Sequence, residues 1–159
     1  MILKLITNAL AYGKNPLLTR ELRHRTGLVY TVGAYLFQFQ DVNLFYISTA
    51  SSVPGEAVHG VRNVLRGFSS GLTSEQCSLW KDQYRSILVR TLSGPFAELN
   101  FLSELCRLYG RFFAPHDVLD ELNTITVADM LRITETYLKD QNLLLTIFGP
   151  HPVSVDLST

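Results

Sequence analysis

Ile2, Leu3, Leu5, Ile6, Ala9 and Leu10 recur at helical spacing, which predicts a core-facing helix over residues 2–12 closed by a left-handed Gly13. Asn15-Pro16 offers an N-cap followed by proline in the first turn, so a short second helix is expected to run to Arg25 and stop at Gly27. Leu28 to Phe39 is rich in Val, Tyr, Thr and Phe and lacks a helical period. It reads as a strand, turned at Asp41-Val42-Asn43 into a second strand over 44–50 as an antiparallel hairpin.

The middle of the chain predicts helices. Pro54 opens one whose Val58, Val61, Leu65 and Phe68 share a face, ending near Gly71. Thr73-Ser74-Glu75-Gln76 is a capping-box pattern, and Cys77, Trp80, Tyr84, Ile87 and Leu88 follow at helical spacing until Ser93-Gly94-Pro95 breaks the run. The next helix carries Leu99, Leu102, Leu105, Cys106 and Tyr109 as its inward face, with Gly110 at its end. Residues 116–122 make a short helix, and Thr126 caps another over 127–138 with Asp129 in its first turn. Asn142 to Phe148 reads as a last strand, closed by Gly149-Pro150 and expected to join the hairpin. The polar tail from His151 is expected to be loose. The order implies an α+β fold, an antiparallel-rich sheet covered on one face by helices, with one domain over 1–150 and a tail over 151–159.

Composition narrows the function. Hydrophobic residues are 47% of the 159, enough for a core, and 14 basic residues balance 14 acidic ones. Neither a basic stripe nor a long apolar run is present, so nucleic acid is not an expected partner and no membrane span is expected. Thr7 and Asn8 interrupt the first apolar run, which therefore reads as a helix rather than a targeting segment. Cys77 and Cys106 form no CxxC pair and read as reduced core thiols, which favours the cytoplasm or another reducing compartment.

Candidate chemistry is sparse. His24, His59, His116 and His151 are not spaced as a zinc helix, and His116-Asp117 reads as a helix-start cap. There is no Gly-rich phosphate loop, and no serine in a strand-to-helix elbow. The chain is therefore expected to hold no catalytic centre of its own. One stretch stands apart, Glu21 to Tyr30, where a helix delivers Arg23 in its last turn, Gly27 ends it, and Tyr30 lies near the start of the following strand. An Arg fork and a Tyr hydroxyl are suitable donors to peptide carbonyls or to a developing oxyanion. By residue type alone, a solvated helix-end Arg and a packed sheet Tyr with a wet hydroxyl is the favoured reading.

This stretch resembles the signature of the C-terminal-type repeat domain of insulinase/pitrilysin zinc metallopeptidases, through Leu18, Glu21, Leu22, Arg23, Gly27, Leu28 and Tyr30. The resemblance continues in Thr73 to Gln76, in Ile125-Thr126-Val127-Ala128-Asp129-Met130, and in Tyr137-Leu138 followed by Leu143 to Pro150. It implies that Arg23 and Tyr30 bind peptide substrate. It also implies that this chain holds no metal, because the zinc lies in a partner domain or subunit bearing HxxEH. The family also includes non-enzymatic structural subunits, which is the alternative. Family domains usually have one more strand before the first helix. The chain is thus expected to lack that strand, and to associate with itself or another chain through the exposed sheet edge.

Overall fold

The computed structural model describes residues 1–150 and 153–155. Six α-helices pack around one antiparallel hairpin: α1 (Ile2–Ala11), β1 (Thr31–Gln38), β2 (Asn43–Ala50), α2 (Pro54–Ser70), α3 (Ser74–Leu92), α4 (Pro95–Tyr109), α5 (Pro115–Thr124) and α6 (Val127–Tyr137). Between α1 and β1 lies a π-helix, Thr19–Arg25, and a 3-10 turn, Asp140–Asn142, follows α6. The fold is α+β, as the order of elements predicts.

The hairpin pairs Thr31 with Ala50 through to Gln38 with Asn43. Its inner face presents Val32, buried Ala34, Phe45 and Ile47 to the core, and α1 packs on β1. Its outer face carries Tyr35 stacked on its register partner Tyr46 at 4.9 Å, and Phe37 stacked diagonally on Tyr46 at 5.6 Å. Leu5, Ile6 and Leu10 of α1 are fully buried, which is why this short helix is stable without a side-chain cap. Thr73 Oγ1 accepts the Gln76 N–H at 3.2 Å, and Thr126 and Asp129 bond reciprocally as a capping box. Asp117 Oδ2 accepts the Ala114 N–H at 2.7 Å, the capping role read for the His116-Asp117 pair. Gly110 closes α4 with a φ of 67°.

Four sequence expectations need correction. Gly13 is not left-handed; α1 runs to Ala11 and is capped at Tyr12. Asn15 forms no cap, because the second helix starts at residue 17 and widens into the π-helix. Of the inward face read for α4, only Leu105 is buried, while Leu99 and Tyr109 are exposed. That helix packs chiefly on α3, and one neighbour covers a narrow stripe.

The last strand is also absent. Residues 143–148 alternate half-buried Leu143, Leu145 and Ile147 with exposed Leu144, Thr146 and Phe148, yet among the described residues the sheet has two strands. Burial on one side of an extended segment produces period 2 whether or not a ladder forms. The segment's start is held by helices instead: Asn142 Nδ2 donates to the Thr136 carbonyl at 2.9 Å, and Asp140 is gripped by two arginines of α2. The tail expected from His151 falls mostly outside the described residues.

That grip couples α2 to the end of the fold. Arg62 is buried and donates to both carboxylate oxygens of Asp140 at 3.2 Å, and Arg66 donates to Oδ2 as well. Hydrogen bonds from Arg62 and then Arg66 hold the Asp140 carboxyl below the usual carboxylate range. Asp140→Ala is expected to cost about 2–3 kcal/mol, below the ~3–5 of a fully buried pair because Asp140 remains 32% exposed. A carboxylate with a depressed folded pKa contributes stability above its unfolded pKa and loses it as pH falls through the folded value. The gap between wild type and Asp140→Ala in urea midpoint should therefore narrow below about pH 4.

Candidate functional site

The stretch from Thr19 to Tyr30 is built around two anchors, Leu22 and Val29, both buried, with polar residues thrown outward on either side. The π-helix holds Leu22 against α2 at Gly60, where a Cβ would meet Leu22 Cδ2 at 2.5 Å. Its end is closed by two carbonyls: Thr26 Oγ1 donates to Glu21 O at 2.9 Å and Leu22 O at 3.1 Å, and the Leu28 N–H donates to Leu22 O at 2.8 Å. The reversal between them falls on Gly27, with a φ of 65° and open space around its Cα. Gly27→Ala is expected to lower stability by about 1 kcal/mol through backbone strain alone, read as a lower denaturation midpoint with an unchanged m-value.

Glu21 sorts the three arginines of this helix. It takes a hydrogen bond from Arg20 at 3.0 Å and pairs with Arg25 one turn on. Lost solvation would raise the Glu21 carboxyl, but the hydrogen bonds from Arg20 and Arg25 prevail and hold it below its usual range. Arg23 is exposed and makes no ion pair or hydrogen bond among the described residues. Its guanidinium fork is available to an outside acceptor.

Tyr30 lies just ahead of β1. Its N–H donates to the Ala50 carbonyl at 2.7 Å, while Ala50 is the register partner of Thr31. This bond lies one residue out of the 31–50 register, at the point where the ladder begins. The Tyr30 ring is 83% exposed. Both sequence-selected residues therefore sit on the surface at the hairpin end remote from the 40–41 loop, on either side of the Gly27 reversal. Arg62, a buried charge, escaped sequence reading because its position on α2 looks like any polar helix position.

Beside them lies a groove of about 490 Å³ between the π-helix and α2, floored by Leu22, Leu28 and Val64 and rimmed by Arg25, Glu56 and His59. No three His, Cys, Asp or Glu side chains among the described residues converge as metal ligands, so the donor set does not fit zinc. No helix among them is long and apolar enough to cross a membrane. Cys77 is buried in the core with its Sγ 3.6 Å from Met130 Sδ, and Cys106 is half-buried. Burial pushes the Cys77 thiol up, which makes it a poor nucleophile.

The family description "Peptidase M16 inactive domain" matches residues 1–84. A protein from Rickettsia bellii described as an uncharacterized zinc protease is 21% identical over 144 residues, covering 89% of this chain and 35% of that protein. The chain thus spans about a third of its relative's length. Among solved structures, an inactive peptidase domain attributed to a zinc protease from Bordetella parapertussis superimposes with a TM-score of 0.73 at 19% identity, covering 89% of this chain and 78% of that one. A chain of complex III2 from Candida albicans gives a TM-score of 0.68 at 14% identity over 84% of this chain and 34% of that one. At these identities the structural likenesses carry the fold.

Proposed function

The chain belongs to the family of peptidase M16 inactive domains, and from that premise we propose that it is the non-catalytic, substrate-contacting domain of a zinc peptidase whose metal sits in another domain or chain. Arg23 and Tyr30 supply the donors. The observation that carries this reading is the pair of exposed side chains flanking Gly27, one arginine left out of the Glu21 ion-pair cluster and one tyrosine exposed just ahead of β1. Outward donors with no partner are useful where a peptide carbonyl or a developing oxyanion arrives, and nothing in the packing requires them. Zinc, held by the partner, would supply the activated water; this chain's part is to bind and orient the peptide.

The reading also calls for a surface that joins the catalytic partner. The two-stranded sheet, the unladdered 143–148 segment and the exposed Leu144 and Phe148 are available for it. The test is to tag the chain, purify it from its host, and measure zinc and the masses of what co-purifies. Zinc together with an HxxEH-bearing chain, or a longer polypeptide that contains one, is the expected result. A zinc-free, concentration-independent monomer by sedimentation would overturn the assignment. A second reading, a non-enzymatic structural subunit, draws on the likeness to a chain of complex III2. It predicts a stable complex without zinc or peptidase activity.

A further inference from the structure

A second cleft, of about 310 Å³, opens where α1 passes the edge of β1. Lys4, Asn8 and Tyr12 face it in a line at helical spacing, and Tyr35, Phe37 and Tyr84 complete its walls. Tyr12 meets Tyr35 edge-on at 6.2 Å, so the mouth is aromatic. The floor is polar. Asn8 is 4% exposed, and its buried Oδ1 has no hydrogen-bond partner among the described residues. Tyr84 is buried as well, and burial raises its hydroxyl to about 12, so that it stays a neutral donor and acceptor at any physiological pH.

An unpaired amide oxygen buried at an aromatic cleft is costly to leave without a partner. The volume lies at the small end of ligand sites, sized for one ring rather than a folded segment. A half-turn about χ2 presents either the carbonyl oxygen or the NH2 of Asn8 to the cleft. The group that satisfies either face is a hydroxyl, which both donates and accepts. We propose that this cleft is a binding pocket for a tyrosine side chain of a peptide, its phenol hydroxyl bonded to Asn8 and its ring held among Tyr12, Tyr35 and Phe37. The source of the ligand rests on the reading of the chain as a peptide-contacting domain; the pocket itself rests on the cleft and its unpaired amide.

The experiment is titration of the 159-residue protein with N-acetyl-L-tyrosinamide and, separately, N-acetyl-L-phenylalaninamide, followed by NMR. Saturable shifts at the Asn8 side-chain NH2 and at residues 35–37 are expected. The tyrosine compound should bind about fivefold more tightly, the gain of one hydrogen bond to a buried polar group. In Asn8→Leu, of similar size but apolar, the two compounds should bind equally, and the free protein should melt at a higher temperature because a buried unpaired amide is gone. Absence of saturable binding, equal affinity for both compounds in the native protein, or a lower melting temperature for Asn8→Leu would each overturn the proposal. None of these readouts depends on zinc or on turnover, so a failed pocket and a failed peptidase assignment give different results.

Discussion

Under the proposed function, replacing Arg23 by alanine in the zinc-containing assembly is expected to lower turnover by about tenfold to a thousandfold, the range for removing one donor to a developing oxyanion. The fold should be indifferent. Arg23 is exposed and has no partner among the described residues, and such surface changes stay within about 0.5 kcal/mol. The loss should fall on kcat if the guanidinium acts in the transition state, and on KM alone if it merely holds substrate. Arg23→Lys separates charge from shape: a lysine restores a point charge but not a planar two-pronged donor, so recovery should be partial. Tyr30→Phe removes one hydroxyl from a ring already 83% exposed and should likewise spare stability while lowering turnover. If both variants turn over as the parent does, the donor roles are wrong and the structural-subunit reading gains.

Leu22→Ala carries the second large effect, this time on stability. Leu22 is 2% exposed and is among the largest side chains of the core. It fills the space over Gly60, and its own carbonyl receives both Thr26 Oγ1 and the Leu28 N–H. Truncation should cost about 3 kcal/mol, in the range measured for buried Leu→Ala changes, because the rigid π-helix and α2 cannot close over the void. It should also loosen the helix that presents Arg23, so turnover should fall further than the lost stability explains. Gly60→Ala tests the same contact from the other side. Alone, its methyl collides with Leu22 Cδ2 and should cost about 1–3 kcal/mol by overpacking. Combined with Leu22→Ala, that methyl enters vacated space, and the double variant should be less damaged than the sum of the two. Strict additivity in urea midpoints would show that Leu22 does not pack over Gly60 in solution.

The elements were largely legible in advance because their causes are local. Thr126 with Asp129, Thr73 with Gln76, and the prolines opening α2 and α4 fix helix starts within a few residues of sequence, and the hairpin announces itself by β-branched and aromatic content. Arg23 and Tyr30 were singled out there by the family resemblance of the stretch around Gly27, since residue types alone favoured a solvated arginine and a packed tyrosine. What local pattern could not supply is the neighbour on the far side. The alternation of 143–148 reported one-sided burial but not whether a ladder existed, and the stripe of α4 reported amphipathicity but not how little would cover it. Nor could local pattern supply the π-turn widening at Thr19–Arg25, or which arginines reach the Glu21 carboxylate. The sequence by itself therefore determined the helices and the hairpin, through capping, periodicity and turn chemistry acting over three or four residues. Only the tertiary structure decided which charges are buried, as with Arg62 on Asp140, and which polar groups are left unpaired, as with Asn8. Desolvation depends on atoms far away in sequence, and no local pattern reports them.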